Sequence, residues 1–506
     1  MKLLSRRAYA LWLLVSGLPI TRLVAQQPVS APCPPGRIVA SACPVGALTL
    51  ADAVAMAQER GLSAEASRNA LVAARARNAA FNARLLPQLS VGGTAVNYNH
   101  AIVSQPDSGT TKFFSQSQNE STMGVSISQP LPWLGSTLSV GSYLDRLDLT
   151  GTASSGSRIY TSTPFLISLH QDFLKPRELL WSTRAQDIRA NLAERQYLES
   201  REDVAIATGS AFFDYYAANV AVRNATANAA VNDTLYTLNK GRFEVGKIGE
   251  NDLLQSELQL LRARASLDGA KLERDRSESA LRRLINVHAS DTLVVVAPQD
   301  IPNVEVDPEV AVSEALRNSS VSEQALLDSV AARRGVTEAR LNNFFGASID
   351  ASYGVNQTNS LFSQAYASPL PRQSVQMQVS MPVFQWGGGR ADVQAARADQ
   401  AVAASSARAR REQLIEDARY AALQLTQSER MLLIAAKADT VAQKRFEVAK
   451  NRYVIGKIGV SDLYIAQNEK DQALDAYVLA LRSYWINYYR LRRVTLYNFE
   501  EKAELR

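Results

Sequence analysis

The chain has 506 residues, 55 of them Lys or Arg against 49 Asp or Glu, with two cysteines and three histidines. That length suits two or three ordinary domains or one large repeated architecture. The basic excess is mostly terminal: without Lys2, Arg6, Arg7 and Arg22 the basic count falls from 55 to 51, so the charge gives no footing for nucleic-acid binding.

Residues 1–25 read as a secretory signal: a basic start, an apolar segment over Ala8–Ile20, and the small Ala25 before Gln26. The apolar segment is too short for a retained anchor. An N-terminal extension, 26–47, carries Cys33 and Cys43. Their ten-residue separation in an exported segment permits a local disulfide, favoured over two free thiols. Beyond the signal no apolar run reaches the roughly 18–20 residues of a membrane helix. An exported chain of this kind is soluble outside the cytoplasm or spans a membrane as a β-barrel.

A tandem repeat organises the rest. RFEVGKIGENDL, Arg242–Leu253, matches RYVIGKIGVSDL, Arg452–Leu463, at an offset of 210, which also pairs Leu281-Arg282-Arg283 with Leu491-Arg492-Arg493. Nearer the start of each half the offset is 258: Leu89-Ser90-Val91 aligns with Ala347-Ser348-Ile349. The first half therefore carries 48 additional residues, placed at roughly 122–165. The repeats are expected over 48–290 and 307–497, joined by a linker, 291–306, and followed by a short tail, 498–506.

Each half begins with a helical pattern, Leu50–Leu86 and Pro308–Asn343. Strands follow, expected at 88–100, 122–131, 136–149 and 164–173 in the first half and as two in the second. Val375, Met377, Val379 and Met381 alternate with Ser374, Gln376, Gln378 and Ser380, the pattern of a lipid-facing, water-filled barrel. A half-buried sheet of a soluble protein would alternate in the same way. The polar stretches 101–121, 151–162 and 356–372 are expected as loops. A helix of roughly 65 residues comes next, from about Pro176 to Phe243 and from about Arg390 to Tyr453, about 100 Å long at 1.5 Å per residue. Gly246-Lys247-Ile248-Gly249 and Gly456-Lys457-Ile458-Gly459 end these helices, and shorter ones return over roughly 251–286 and 461–495. Long staves beside stacked shorter ones describe a coiled-coil cylinder.

With these features in place the chain resembles the TolC-like outer membrane efflux family from about 48 to 497. The resemblance rests on the duplication, the strand-to-helix turn Pro382…Gly387-Gly388-Gly389, and the tip Tyr453-Val454-Ile455-Gly456…Asp462. It implies a mainly α fold of long antiparallel coiled-coil helices, an α-barrel, plus strands contributing to a trimeric transmembrane β-barrel. It implies a homotrimer in outer-membrane lipid, helices extending into the periplasm, a periplasmic adaptor, and an inner-membrane pump of resistance or ABC type. Asp462, its repeat partner Asp252, and Tyr453 match tunnel-mouth positions; Gly246, Lys247, Gly249, Gly456, Lys457 and Gly459 form the tip turns where an adaptor docks. The aspartates would equally serve as helix N-terminal caps. Two positions depart from the pattern: Ile458 stands where a gate arginine is expected, and Ile465 where a second aspartate is. The usual pattern has one pair of strands per half, and the sequence alone allows the extra hairpin inside the barrel wall or outside it.

Catalytic chemistry has no residues to stand on. His100, His170 and His288 lack metal-ligand spacing, and HExxH, GxxxxGK[ST] and GxSxG are absent. No cofactor and no nucleic-acid partner are expected. The leading expectation is a passive exit duct for small molecules. A duct for secreted polypeptides shares the fold, and a periplasmic coiled-coil structural or adaptor protein without a pore is the alternative of another class.

Overall fold

A computed structural model describes residues 48–107, 110–151, 154–288, 293–298 and 304–505. The signal segment, Cys33 and Cys43 lie outside the described residues.

The two halves build helices of matching length. The first has α1 (Leu50–Arg60), α2 (Leu62–Arg84), α3 (Glu178–Glu244) and α4 (Glu250–Ile285). The second has α5 (Pro308–Asn318), α6 (Ser320–Asn342), α7 (Gly388–Val454) and α8 (Val460–Thr495). The long members α3 and α7 have 67 residues each and the returning members α4 and α8 have 36 each. At 1.5 Å per residue the long pair span about 100 Å.

The opening helix expected over Leu50–Leu86 is two helices, and so is that over Pro308–Asn343. Gly61 is extended (φ −66°, ψ 142°) and separates α1 from α2. A Cβ there would sit 2.9 Å from the Leu284 carbonyl oxygen, so glycine lets the junction meet the end of α4. Asn286 at that end donates to the Arg60 carbonyl at 3.3 Å. In the second half Ser319 makes the break, its Oγ accepting from the Val321 N–H and capping α6. Asn318 beside it donates to the carbonyl of Thr495 at the end of α8.

The main core lies where α1, α3, α7 and α8 meet, around Phe212, Phe213, Leu425, Leu481, Tyr484, Tyr488 and Tyr489. The Leu-Arg-Arg element of the second half ties α8 to α3. Arg492 donates to Glu202 at 2.9 Å and Arg493 to Asp203 at 2.6 Å. Glu202 is 3 % exposed, and burial pushes its carboxyl up against the opposing pull of Arg492. In the first half Arg282 turns instead to Glu278 on its own helix and to the His288 carbonyl.

Strands β1 (Gln88–Asp107), β2 (Thr110–Leu131), β3 (Ser136–Gly151), β4 (Ser154–Phe173), β5 (Gly346–Asn359) and β6 (Leu370–Ser380) form one antiparallel sheet in sequence order. A two-residue pair, β7 (Tyr497–Asn498) and β8 (Ala503–Glu504), closes the C-terminus. Much of the sequence expected as polar loops is strand. Asn97–Asp107 pairs with Thr110–Glu120, and Tyr143–Leu149 pairs with Ser157–Thr163. Long hairpins satisfy their own backbone groups, so polar side chains remain compatible with strand well beyond the apolar segment. The extra hairpin of the first half lies inside the sheet, β2 and β3 standing between β1 and β4.

Register sorts the side chains onto two faces. Leu89, Ile127, Val140, Ile167 and Tyr353 share one row. The adjacent row, on the opposite face, runs Gln88, Ser128, Ser139, Ser168, Ser352 and Ser374. An apolar outer face and a hydroxyl-lined inner face are what a wall between lipid and water requires. No helix among the described residues is long and apolar enough to cross a membrane.

Candidate tunnel-mouth site

The tips of the two helical hairpins are shaped by the same short element. Gly246 and Gly456 take left-handed backbone, φ +68° and +75°, with open space around a would-be Cβ. The helix ends there, because sustaining φ > 0 costs any side chain other than glycine. Lys247 N–H then bonds the Arg242 carbonyl at 2.8 Å, and Gly246 N–H the Phe243 carbonyl at 2.9 Å. Lys457 and Gly456 make the equivalent bonds to Arg452 and Tyr453, both at 2.9 Å. This double closure is the Schellman arrangement. Gly249 and Gly459 cap the returning helices without a side-chain bond, and Lys247 and Lys457 are exposed.

Asp252 and Asp462 occupy the first turns of α4 and α8, where the helix dipole favours a carboxylate. Asp462 is exposed and Asp252 half-buried. Neither supplies the cap position, which belongs to glycine in both helices.

Tyr453, by contrast, is 4 % exposed and packs with Leu235, Val460, Leu463 and Tyr464. Its hydroxyl donates to Asn239 Oδ1 at 2.6 Å. Asn239 Nδ2 in turn donates to Ser256 Oγ at 2.6 Å, and that hydroxyl donates to the Asp252 carbonyl at 2.7 Å. A continuous polar chain therefore crosses from the end of α7 through α3 to the first turn of α4. Arg242 covers the crossing, its guanidinium 5.2 Å from the Tyr453 ring centre while it donates to the Val454 carbonyl at 3.2 Å. Ile458 packs against this apolar cluster, and Ile465 is 51 % exposed. Burial pushes the Tyr464 phenol up, so it stays neutral in the cluster.

The repeat is asymmetric at this point. Counting 210 residues along, Tyr453 corresponds to Phe243, Asn239 to Ala449, and Ser256 to Ala466. The three side chains of the polar chain thus each exist in one half only, and Phe243 is 40 % exposed where Tyr453 is buried.

Away from the tip a second polar contact joins α3 to α8. Asp471 accepts from Asn224 at 2.8 Å and from Asn228 at 2.7 Å. Lys470 donates to both asparagine oxygens, at 3.0 and 3.2 Å, and lies 5.0 Å from the Phe446 ring centre. Sequence reasoning missed Asn239, Ser256, Arg242 and this cluster. The available signal was asparagine recurring inside a long helix, at 224, 228, 232 and 239, where it is a poor helix former without a partner.

The model of the family described as outer membrane efflux protein matches residues 135–287 and 311–495, covering both helical hairpins and their tips. The chain belongs to the outer membrane efflux protein family. No curated protein matches the sequence. Among solved structures, this outer membrane efflux protein is similar to the CmeC outer membrane channel of Campylobacter jejuni, with 16% identity, a TM-score of 0.64, and 90% of this chain and 86% of that one covered. VceC of Vibrio cholerae gives 13% identity and a TM-score of 0.63 over 90% of this chain and 97% of that one. The MtrE channel of Neisseria gonorrhoeae, solved in an open state, gives 15% identity and 0.59 over 88% of each. The efflux protein has the α-barrel and β-barrel fold of these channels and lies in the outer membrane.

Proposed function

We propose that the chain is a passive exit duct, three copies of which form one pore. Small molecules would be delivered to its periplasmic mouth by an adaptor and an inner-membrane pump, with the tip turns at Gly246–Gly249 and Gly456–Gly459 as the docking edge. The observation that carries this reading is the polar chain from Tyr453 through Asn239 and Ser256 to the Asp252 carbonyl. It links the two hairpins at their tips without an arginine–aspartate lock, using buried neutral groups that are costly to separate unless each finds a new partner. Such a link holds the hairpins in one arrangement and resists their separation, which is the role of a closing device.

Three exposed Asp462 carboxylates near a common axis would attract cations and repel anions, more strongly as the aperture narrows. Planar-bilayer recording on the purified protein tests both points. The wild-type pore should show low, cation-preferring conductance. Asp462→Ala should weaken the cation preference, and Tyr453→Phe should raise the open fraction. A protein that inserts but conducts nothing in all three forms would remove the gated-duct reading.

A further inference from the structure

We propose that the pore wall is an eighteen-stranded barrel, closed by pairing the β1 edge of one copy with the β6 edge of the next. The inference rests on the three-copy duct proposed above and assigns the extra hairpin of the first half a place in its wall.

The sheet has six strands in sequence order, and among the described residues neither β1 nor β6 has a partner on its outer side. Membrane barrels begin at about eight strands, so six cannot enclose a lumen. An open edge is equally unavailable to a sheet with an apolar outer face, because lipid offers no hydrogen bonds to exposed N–H and C=O groups. Another copy of the same sheet is the occupant that answers both constraints.

The two edges are built for pairing. Sheet edges that must stay alone are guarded by lysine, proline or inward-pointing charge. From Gln88 to Gln105, β1 has no proline and no Lys, Arg, Asp or Glu; the same holds in β6 from Gln373 to Ser380. Both strands are exposed along their described lengths. Their patterns agree: Leu89 and Val91 alternate with Ser90 and Gly92, as Val375, Met377 and Val379 alternate with Ser374, Gln376 and Gln378. Direction agrees as well. An even number of antiparallel strands leaves β1 and β6 running oppositely, so β6 of one copy meets β1 of the next in antiparallel sense.

Six strands per copy in three copies make eighteen. With strands about 4.8 Å apart and tilted by about 40°, the ring is about 36 Å across at the backbone. Without the hairpin Thr110–Gly151 the same assembly would hold twelve strands, about 24 Å across. The wider wall carries the row Gln88, Ser128, Ser139, Ser168, Ser352 and Ser374 once in each copy, a ring of hydroxyl and amide groups without formal charge. That ring itself applies no charge selection, whereas His170 and Asp350, paired in register on the same face, place titratable groups beside it.

Cryo-electron microscopy of the full chain in nanodiscs counts the strands directly. The expected result is a three-copy ring of eighteen strands with β1 beside a neighbour's β6. A three-copy duct with twelve strands in the wall, and β2 and β3 outside it, overturns this inference and leaves the duct intact. A particle with no shared ring overturns both. Cross-linking adds a second reading, in a Cys33→Ser, Cys43→Ser background. Cysteine pairs that combine Leu89, Val91 or Val96 with Val375, Met377 or Val379 should include at least one that gives disulfide-linked trimers on a denaturing gel. Complete absence of chain-to-chain products across the set would overturn the β1–β6 closure. Joining Asp107 to Ser154 should shrink the ring to about two-thirds of its circumference, in proportion to strand number. A ring of unchanged size in that deletion would overturn the assignment of the hairpin to the wall.

Discussion

At Tyr453 a single hydroxyl decides whether a buried amide has a donor. Tyr453→Phe removes the 2.6 Å bond to Asn239 Oδ1 and leaves that oxygen in a site with no access to water. The expected cost is about 1–2 kcal/mol, measured as a shift in thermal or denaturant unfolding in detergent. A Tyr453→Phe, Asn239→Leu double substitution should recover part of it, since both polar partners are then gone. The acidic pair on α8 behaves differently. Partial desolvation, reinforced by the charge of Asp471, pushes the solvent-exposed Asp475 carboxyl above its ordinary 3.8. The folded state therefore binds the proton more tightly than the unfolded chain. The favourable contribution is complete below 3.8 and is lost as pH rises through the raised folded value. Asp475→Asn should raise the melting temperature at pH 7 by about 1 °C, with the gain disappearing near pH 3. A gain that grew on acidification would contradict the sign.

At the scale of elements, the tips test backbone against packing. Gly246 sits at φ +68° with open space around it, so Gly246→Ala meets no clash but strains the left-handed turn by about 1 kcal/mol. Gly241, five residues earlier and helical, is also unobstructed. There Gly241→Ala should stabilise by about 0.5–1 kcal/mol, because helix without strain favours alanine. Limited proteolysis at the tip should therefore be faster in the first variant and slower in the second. The helix breaks at Gly61 and Ser319 belong to this scale too. Both positions lie inside a continuous apolar period, and neither break is visible until the ends of α4 and α8 are placed against them.

For the whole molecule, the alternation of the sheet predicts opposite outcomes at adjacent residues. Val375 is 78 % exposed on the outer face, so Val375→Arg places a charge toward lipid at a cost of about 2–4 kcal/mol if it lies near the midplane. Gln376 faces the polar side in register with Asp350, and Gln376→Arg should be accepted. Fractionation should show the first variant depleted from the outer membrane and the second retained, with shifted ion selectivity in bilayers. The repeat, the helix lengths, the turn glycines and this two-residue alternation were all legible in the sequence, because each is fixed by contacts between near neighbours along the chain. Among the described residues the stretches 101–121 and 151–162, expected as polar loops, are strand, since a strand paired along its length needs no apolar pattern.

By itself, the sequence determined a duplicated helical frame of equal staves with a lipid-compatible sheet, since helical period, glycine turns and strand alternation are local properties. Only the tertiary structure decided that the extra hairpin lies within the sheet and that Tyr453 joins Asn239, Ser256 and the Asp252 backbone. Both depend on residues far apart in the chain. Strand order is settled by which backbone edges pair, and the polar chain by which half of an asymmetric repeat supplies each donor and acceptor.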